Sequence, residues 1–284
     1  MLYNEPKQDI CERIFVMRYE YGFIGCGNMG GAIVKAVSKQ VDGARICICD
    51  RDSAKCDALS KECGVSIEDI IDLAKESRHI VLGVKPQMMA DTLAEIKEIL
   101  AGRDDAFILV TMAAGITTDK LCEMAGGEYP VIRIMPNTPV AVGEGVVLYC
   151  ANAKVSDSDV SDFRFDMAKA GLVSELPEKL IDAGSAVSGC GPAFVCMMIE
   201  ALADGGVECG LPRDKALDFA AKTFMGTAAL LLETGKHPGK LKDEVCSPGG
   251  TTIEGVHALE SGKLRGTVMD AVKAAYEKNF KLIK

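Results

Sequence analysis

Residues 21–34 read YGFIGCGNMGGAIV, a β-branched and aromatic run that stops at three spaced glycines and restarts at helical spacing. Gly25, Gly27 and Gly30 form a G-x-G-x-x-G pattern where a strand hands over to a helix. In that setting the first glycine permits a tight turn, the second lets the backbone approach a pyrophosphate, and the third allows close packing of helix on strand. The N–H groups at the helix start then face phosphate oxygens. The turn therefore predicts the first βα unit of a sheet that binds a dinucleotide. Asp50 ends the next strand-like run, 25 residues beyond Gly25, where a carboxylate accepts hydrogen bonds from the ribose hydroxyls of NAD. Arg51 follows at once and is suited instead to the 2′-phosphate of NADP. A plainer role for both is to cap the next helix, so the choice between NADH and NADPH stays open.

From residue 20 to about 176, short strand-like runs alternate with helical segments, the pattern of a parallel sheet wrapped by helices. The predicted strands are YGFI (21–24), RICICD (45–50), HIVLGV (79–84), AFILVT (106–111), VIRI (131–134), VVLYC (146–150) and LVSEL (172–176). Helical spacing marks NMGGAIVKAVSKQ, DSAKCDALSKEC, SIEDIIDLAKES, PQMMADTLAEIKEIL and DSDVSDFRFDMAKA, with Pro86 suited to a first helical turn. Beyond Pro177 no strand-like run appears. Leu217, Ala221, Phe224, Ala228 and Leu231 fall on one helical stripe, as do Phe194, Met198 and Leu202. The expectation is an α/β chain in two domains: a Rossmann-type doubly wound sheet over residues 17–177, and an all-α domain over 178–284. No low-complexity linker separates them, so the two are expected to pack together.

Composition narrows the function. With 284 residues, 48% of them hydrophobic and 26% charged, the chain can build a full core. Its net charge of −9, with no run of Lys and Arg, lacks the electrostatic footprint of a nucleic-acid binder. No stretch of eighteen apolar residues predicts a membrane span, and the N-terminus lacks the basic and apolar halves of a secretory signal. The twelve cysteines include no C-x-x-C pair or Cys/His cluster with zinc-ligand spacing, so no metal is expected and the thiols read as reduced, small hydrophobes. A cytoplasmic location follows as an expectation. Residues 1–16 contain nothing a Rossmann-type start requires, and Met17 is a candidate natural start.

In the second half, SPGGTT (247–252) precedes helical spacing and reads as an anion seat: free backbone N–H groups, a helix dipole and two hydroxyls, suited to a small carboxylate. Alone, the same segment also fits an N-capped helix with a flexible entry loop. It is one of an ordered series, however. FIGCGNMGGAI, VKPQ (84–87), MAAGI (112–116), RIMPNTP (133–139), SGCGPAF (188–194), ALADGGVECGLPR (201–213) and DEVCSPGGTTIEG (243–255) follow one another along the chain. In this order they resemble the motifs of pyrroline-5-carboxylate reductases, from about Tyr19 to the C-terminus. That resemblance implies an N-terminal Rossmann domain, a helical domain that forms a homodimer, possible assembly of dimers into larger oligomers, and NADPH or NADH as cofactor. It implies cofactor contacts from Gly25, Cys26, Gly27, Asn28, Met29 and Gly30, from Val84, Lys85 and Pro86, and from Ala113, Ala114 and Gly115, beside Asp50 and Arg51. It places the substrate, a cyclic imino acid, on Ser247, Gly249, Gly250, Thr251 and Thr252. Two positions depart from the family. Asp50 stands where many members carry a small or hydroxyl residue, and IEDII (67–71) stands where relatives often present an Asn to the cofactor ribose.

Imine reduction needs a positioned hydride donor, a fixed substrate and a proton on the ring nitrogen. Because the imine is basic and can arrive protonated, no strong general acid is required, and orientation alone can contribute roughly 7–11 kcal/mol in favourable cases. The second hydroxyl of the seat, on Thr252, is the candidate catalytic group. His79, His237 and His257 are expected to be structural, Lys85 is a candidate cofactor contact, and Arg133 is expected to anchor the MPNTP loop. Two other readings remain at this point. A β-hydroxyacid dehydrogenase shares the glycine opening but needs a lysine where this chain has Val195. A nicotinamide-binding sensor without turnover would keep the fold alone.

Overall fold

The computed structural model describes residues 18–282, so the expectations for residues 1–16 and Met17 lie outside the described residues. Eight strands form one sheet: β1 (Tyr19–Ile24), β2 (Ile46–Cys49), β3 (Ser66–Ile67), β4 (Ser77–Leu82), β5 (Ile108–Thr111), β6 (Val131–Pro136), β7 (Gly145–Ala151) and β8 (Gly171–Glu175). Their spatial order is β3-β2-β1-β4-β5-β6-β7-β8. The chain winds outward from β1 in one direction, returns to the middle at β4 and winds the other way. The reversal leaves a crevice outside the carboxyl ends of β1 and β4, where doubly wound sheets bind ligands.

All pairs are parallel except β6 with β7. This corrects the expectation of a parallel sheet throughout. The eight residues between β6 and β7 are too few for a crossover, which takes a dozen or more, so the chain turns straight back. Two further elements escape the sequence pattern. β3 is two residues long, too short for any periodicity. The helix α5 (Thr118–Ala125) starts where the Thr117 hydroxyl accepts from the Lys120 N–H at 3.2 Å and stops at Gly126, φ +77°.

The sheet is covered by α1 (Asn28–Val37), α2 (Ser53–Cys63), α3 (Ile70–Glu76), α4 (Met89–Ala101), α5 and α6 (Asp157–Asp166). Alternation along β1 sends Tyr21 and Phe23 into the core with α1, and Tyr19 into the core with α3 and α4. The inner strands are buried on both faces, as parallel sheets require, and only the edge strands β3 and β8 are open.

The helical half comprises α7 (Glu178–Ser188), α8 (Gly191–Glu208), α9 (Arg213–Thr234), α10 (Pro238–Val245), α11 (Thr251–Ser261) and α12 (Leu264–Leu282). Its core within one chain is small: Ala203, Ala216 and Ala220, flanked by Ile199 and Val207. The predicted stripe on α9 does not pack there. Leu217 is 48% exposed, and Phe224, Ala228 and Leu231 line an open groove of about 540 Å³ between α9 and α10.

Among the described residues of this half, α7 is the helix tied to the sheet by an ion pair. Buried Arg133 on β6 donates to Asp182 at 2.7 Å and lies 3.6 Å from Glu178. Glu178 in turn accepts from the N–H and hydroxyl of Thr118 at 2.8 and 3.0 Å. Arg133 thus holds a helix rather than the MPNTP loop, which corrects its expected role. The loop is held by Asn137, whose amide donates to Ser188 O at 2.9 Å and accepts from Val146 N–H at 2.8 Å.

Candidate cofactor cleft and substrate loop

The glycine turn follows β1 as expected, and contacts with the neighbouring strand ends explain two of its glycines. Gly25 has φ +97°, and a Cβ there would lie 2.8 Å from the Gly83 carbonyl carbon; one on Gly30 would lie 2.2 Å from Gly25 O. Gly27 is different. Its φ of −62° suits any residue, and a Cβ there would meet nothing within 4 Å. The fold does not need a glycine at 27, so open space in front of that backbone is the reason to have one.

That space belongs to a cleft of about 410 Å³ lined by Gly25 and Gly27 of the turn, Asp50 and Arg51 after β2, and Val84 and Lys85 after β4. Six separated positions of the sequence reading therefore converge on one crevice at the switch point. Asp50 is fixed in its wall: one carboxylate oxygen accepts from Cys26 N–H at 2.6 Å, the other from Asp52 N–H at 2.9 Å. The remaining predicted contacts stand around this centre. Asn28 is exposed at the first turn of α1, Met29 packs against the core, and Pro86 opens a short 3₁₀ turn behind Lys85. Ala113, Ala114 and Gly115 (φ +77°) follow β5 along the same carboxyl edge, since Leu82 of β4 pairs with Thr111 of β5, but they do not line the cleft. The Cys26 side chain turns into the core, where burial pushes its thiol up to about 12 and keeps it protonated.

Further residues line it: Ile24 of the glycine-turn motif, Ile70 of IEDII, and Cys49, Lys55, Gly83, Met88, Thr92 and Glu95, which the motif reading does not single out. Gly83 falls inside the predicted strand HIVLGV (79–84), whereas β4 ends at Leu82 and leaves this glycine in the turn after it. Its Cβ would lie 2.4 Å from Gly25 O, so two neighbouring turns share one close approach. At the departure IEDII, Glu68 accepts from the Tyr19 hydroxyl and Asp69 caps α3 through Ile71 and Asp72 N–H, leaving Ile70 as an apolar wall.

The predicted substrate loop lies elsewhere. Gly249 takes φ +65°, Gly250 N–H donates to Ser247 O at 3.0 Å, and α11 begins at Thr251. Gly250 supplies no side-chain cap, so the first-turn N–H groups lack the acceptor a Ser or Asp would offer. Ser247, Thr251 and Thr252 are exposed, and no residue beyond Glu95 lines the cofactor cleft. One chain therefore does not bring seat and cleft into a single pocket. The histidines fit structural roles: His79 is fully buried and stacked on Tyr21 at 4.5 Å, His237 caps α10 through Gly239 N–H, and His257 is exposed on α11.

Sheet, glycine turn and cleft together define a nicotinamide-dependent oxidoreductase of the doubly wound α/β class. Residues 178–282 match the family model described as pyrroline-5-carboxylate reductase dimerisation, and residues 20–115 match that described as NADP oxidoreductase, coenzyme F420-dependent. The chain is 41% identical over 271 residues to the pyrroline-5-carboxylate reductase of Escherichia coli (strain K12), spanning 94% of this chain and 100% of that protein. Solved structures agree. The Coxiella burnetii pyrroline-5-carboxylate reductase has a TM-score of 0.86 at 32% identity, over 94% of this chain and 99% of that one. The Plasmodium falciparum pyrroline carboxylate reductase with NADP bound has 0.82 at 30%, over 95% and 100%. The chain belongs to the pyrroline-5-carboxylate reductase family.

Proposed function

We propose that the protein reduces 1-pyrroline-5-carboxylate to L-proline, the last step of proline biosynthesis, with a nicotinamide cofactor in the cleft between β1 and β4. The observation that carries this reading is the pairing of that cleft with an intact Ser247–Thr252 loop at an uncapped helix start. The cofactor, when bound, supplies the hydride. The residues around the cleft fit it: the open face of Gly27 admits a pyrophosphate, Asp50 offers acceptors to a ribose, and Ile70 and Val84 give apolar walls.

The chain's own part is positioning. Backbone N–H groups at the start of α11, with Ser247, hold the substrate carboxylate, and the helix dipole favours its charge. The Thr252 hydroxyl meets the ring nitrogen and keeps its proton in place while the imine carbon is reduced. No acid needs to be generated, which matches a site without a catalytic His or Glu. Val195, 41% exposed on α8, cannot replace the lysine of alcohol chemistry.

The protein works as a homodimer, in which a second copy covers the apolar helices and brings a substrate loop to a cleft. The exposed Met197, Met225 and Leu232 and the α9–α10 groove support this. So does the stretch 178–208, which by length and composition alone is apolar enough to cross a membrane yet is broken at Gly189–Cys190 and carries Glu178, Asp182, Glu200 and Asp204. Residues 17–177 act as the cofactor unit and 178–284 as the substrate and dimer unit, in the cytoplasm. Purified protein should consume NADH or NADPH at 340 nm only when the cyclic imine is added. A protein that binds nicotinamide but leaves it unoxidised under these conditions would be a sensor instead.

A further inference from the structure

We propose that the cleft selects NADH over NADPH, and that it does so because the Asp50 carboxylate is immobile. The inference rests on the assignment of this cleft to the cofactor. A lone acidic side chain can swing away from a phosphate, but Asp50 cannot do so cheaply. It accepts from Cys26 N–H at 2.6 Å and from Asp52 N–H at 2.9 Å. Its position is therefore set by the main chain on both sides. Gly25 N–H donates to Cys49 O at 2.8 Å, so the glycine turn and the end of β2 form one fastened unit around the carboxylate.

A carboxylate has about four acceptor positions, and two of these are taken. The other two suit the hydroxyls of an unmodified ribose, which are donors. A 2′-phosphate has two negative charges or nearly so and offers no comparable donor, so it meets a fixed like charge.

The nearby cations do not cancel that charge. Lys55 lies 3.2 Å from Asp52, so its charge is already matched. Lys85 follows β4, across the cleft from the end of β2. Glu95 adds another negative charge to the lining. Arg51 is the cation left on the Asp50 side, and among the described residues it has no ion-pair partner. It is exposed and long, so it screens a phosphate only when ordered against it. NADPH is therefore admitted but disfavoured.

Fragments without a nicotinamide ring test this apart from turnover. Isothermal titration of the full-length protein should show ADP-ribose binding at least tenfold more tightly than 2′-phospho-ADP-ribose, with the gap narrowing as salt is added. Asp50→Asn and Asp50→Ser should bring the two fragments to within about threefold of each other, whatever their effect on affinity overall, and Arg51→Ala should widen the gap. Equal or tighter binding of the phosphorylated fragment by the parent protein overturns the selection of NADH. An unchanged ratio in both Asp50 variants, each shown by its thermal melt to be folded, overturns the role of Asp50. If neither fragment binds the parent protein, the cleft assignment itself fails, an outcome distinct from an inverted ratio.

Discussion

Replacing Gly27 by alanine separates what the fold needs from what the ligand needs. Position 27 is the N-cap of α1, with φ −62° and ψ −170°, and a Cβ there would meet no atom within 4 Å. Alanine is a poorer N-cap than glycine by up to about 1 kcal/mol, but it removes a similar amount of chain entropy from the unfolded state. The net change should stay within about 1 kcal/mol, or roughly 2–4 °C in melting temperature for a chain of this size. Cofactor binding is another matter. A methyl group on Gly27 projects into the space a pyrophosphate would occupy and pushes it off the adjacent amides. Losing one or two hydrogen bonds to a charged group, at about 1.5–3 kcal/mol each, predicts affinity weaker by roughly 10- to 1,000-fold or more. Gly30→Ala should behave in the opposite way. Its Cβ would lie 2.2 Å from Gly25 O, so the loss appears first in stability. The assay is a thermal melt beside a titration of NADH by its fluorescence. If Gly27→Ala binds NADH as the parent does, no phosphate lies over that residue and the cleft geometry has been misassigned.

The other expectations fall on the substrate loop, the sheet and the α7 junction. Thr252→Ala should lower kcat and kcat/KM together by roughly 10- to 1,000-fold with nicotinamide affinity kept, and Thr251→Ala should be milder; equal small losses would make the hydroxyl only a helix cap. Arg133→Met leaves Asp182 and Glu178 without their cation, and because both carboxylates are partly exposed the cost is about 2 kcal/mol, seen as a melt lower by roughly 4–8 °C. A melt like the parent's would mean that α7 is held by packing alone. His79, whose Nδ1 lies 3.5 Å from the carboxylate, together with Arg78 and Arg45 holds Glu20 below its usual value of 4.5, so its stabilisation is present above that pH and is lost as pH falls through the lower folded value. Glu20→Gln should therefore flatten the acid limb of the stability curve measured by urea unfolding between pH 6 and 3, and an unchanged limb would exclude these pairs.

The parts of the fold that were legible are those with a strong local cause. Strands buried on both faces read as unbroken β-branched runs, and a glycine turn between strand and helix has few other meanings. β6 and β7 were both found, but their relative direction depends on connection length rather than on composition. α5 lies just beyond the MAAGI motif (112–116) and is absent from the predicted helices, although Thr117 and Gly126 mark its ends clearly. Within the site, Asp50 was recognised by position, whereas the amide contacts that fix it come from tertiary structure. Met88 and Thr92 lie on a helical turn and a helix face, respectively, whose orientation no spacing rule gives, so their place in the cleft is not readable from the sequence.

The helical half shows the limit of periodicity most clearly. Leu217, Phe224 and Leu231 do lie on one stripe, but a stripe only says that something covers it. Within one chain, α8 meets α9 through alanines, and these small contacts leave the larger side chains outside. The same arrangement leaves the start of α11 exposed and outside the cofactor cleft. Hydride transfer requires donor and acceptor in contact, at about 3–3.5 Å, so with cofactor and substrate at the two proposed sites one chain would not turn over until another surface joined them. The apolar face and the incomplete site thus make the same demand: covering the first with a second copy supplies a means of completing the second. Loss of the dimer should then remove catalysis while sparing binding of ADP-ribose, because every lining residue of the cofactor cleft lies between Ile24 and Glu95 of one chain.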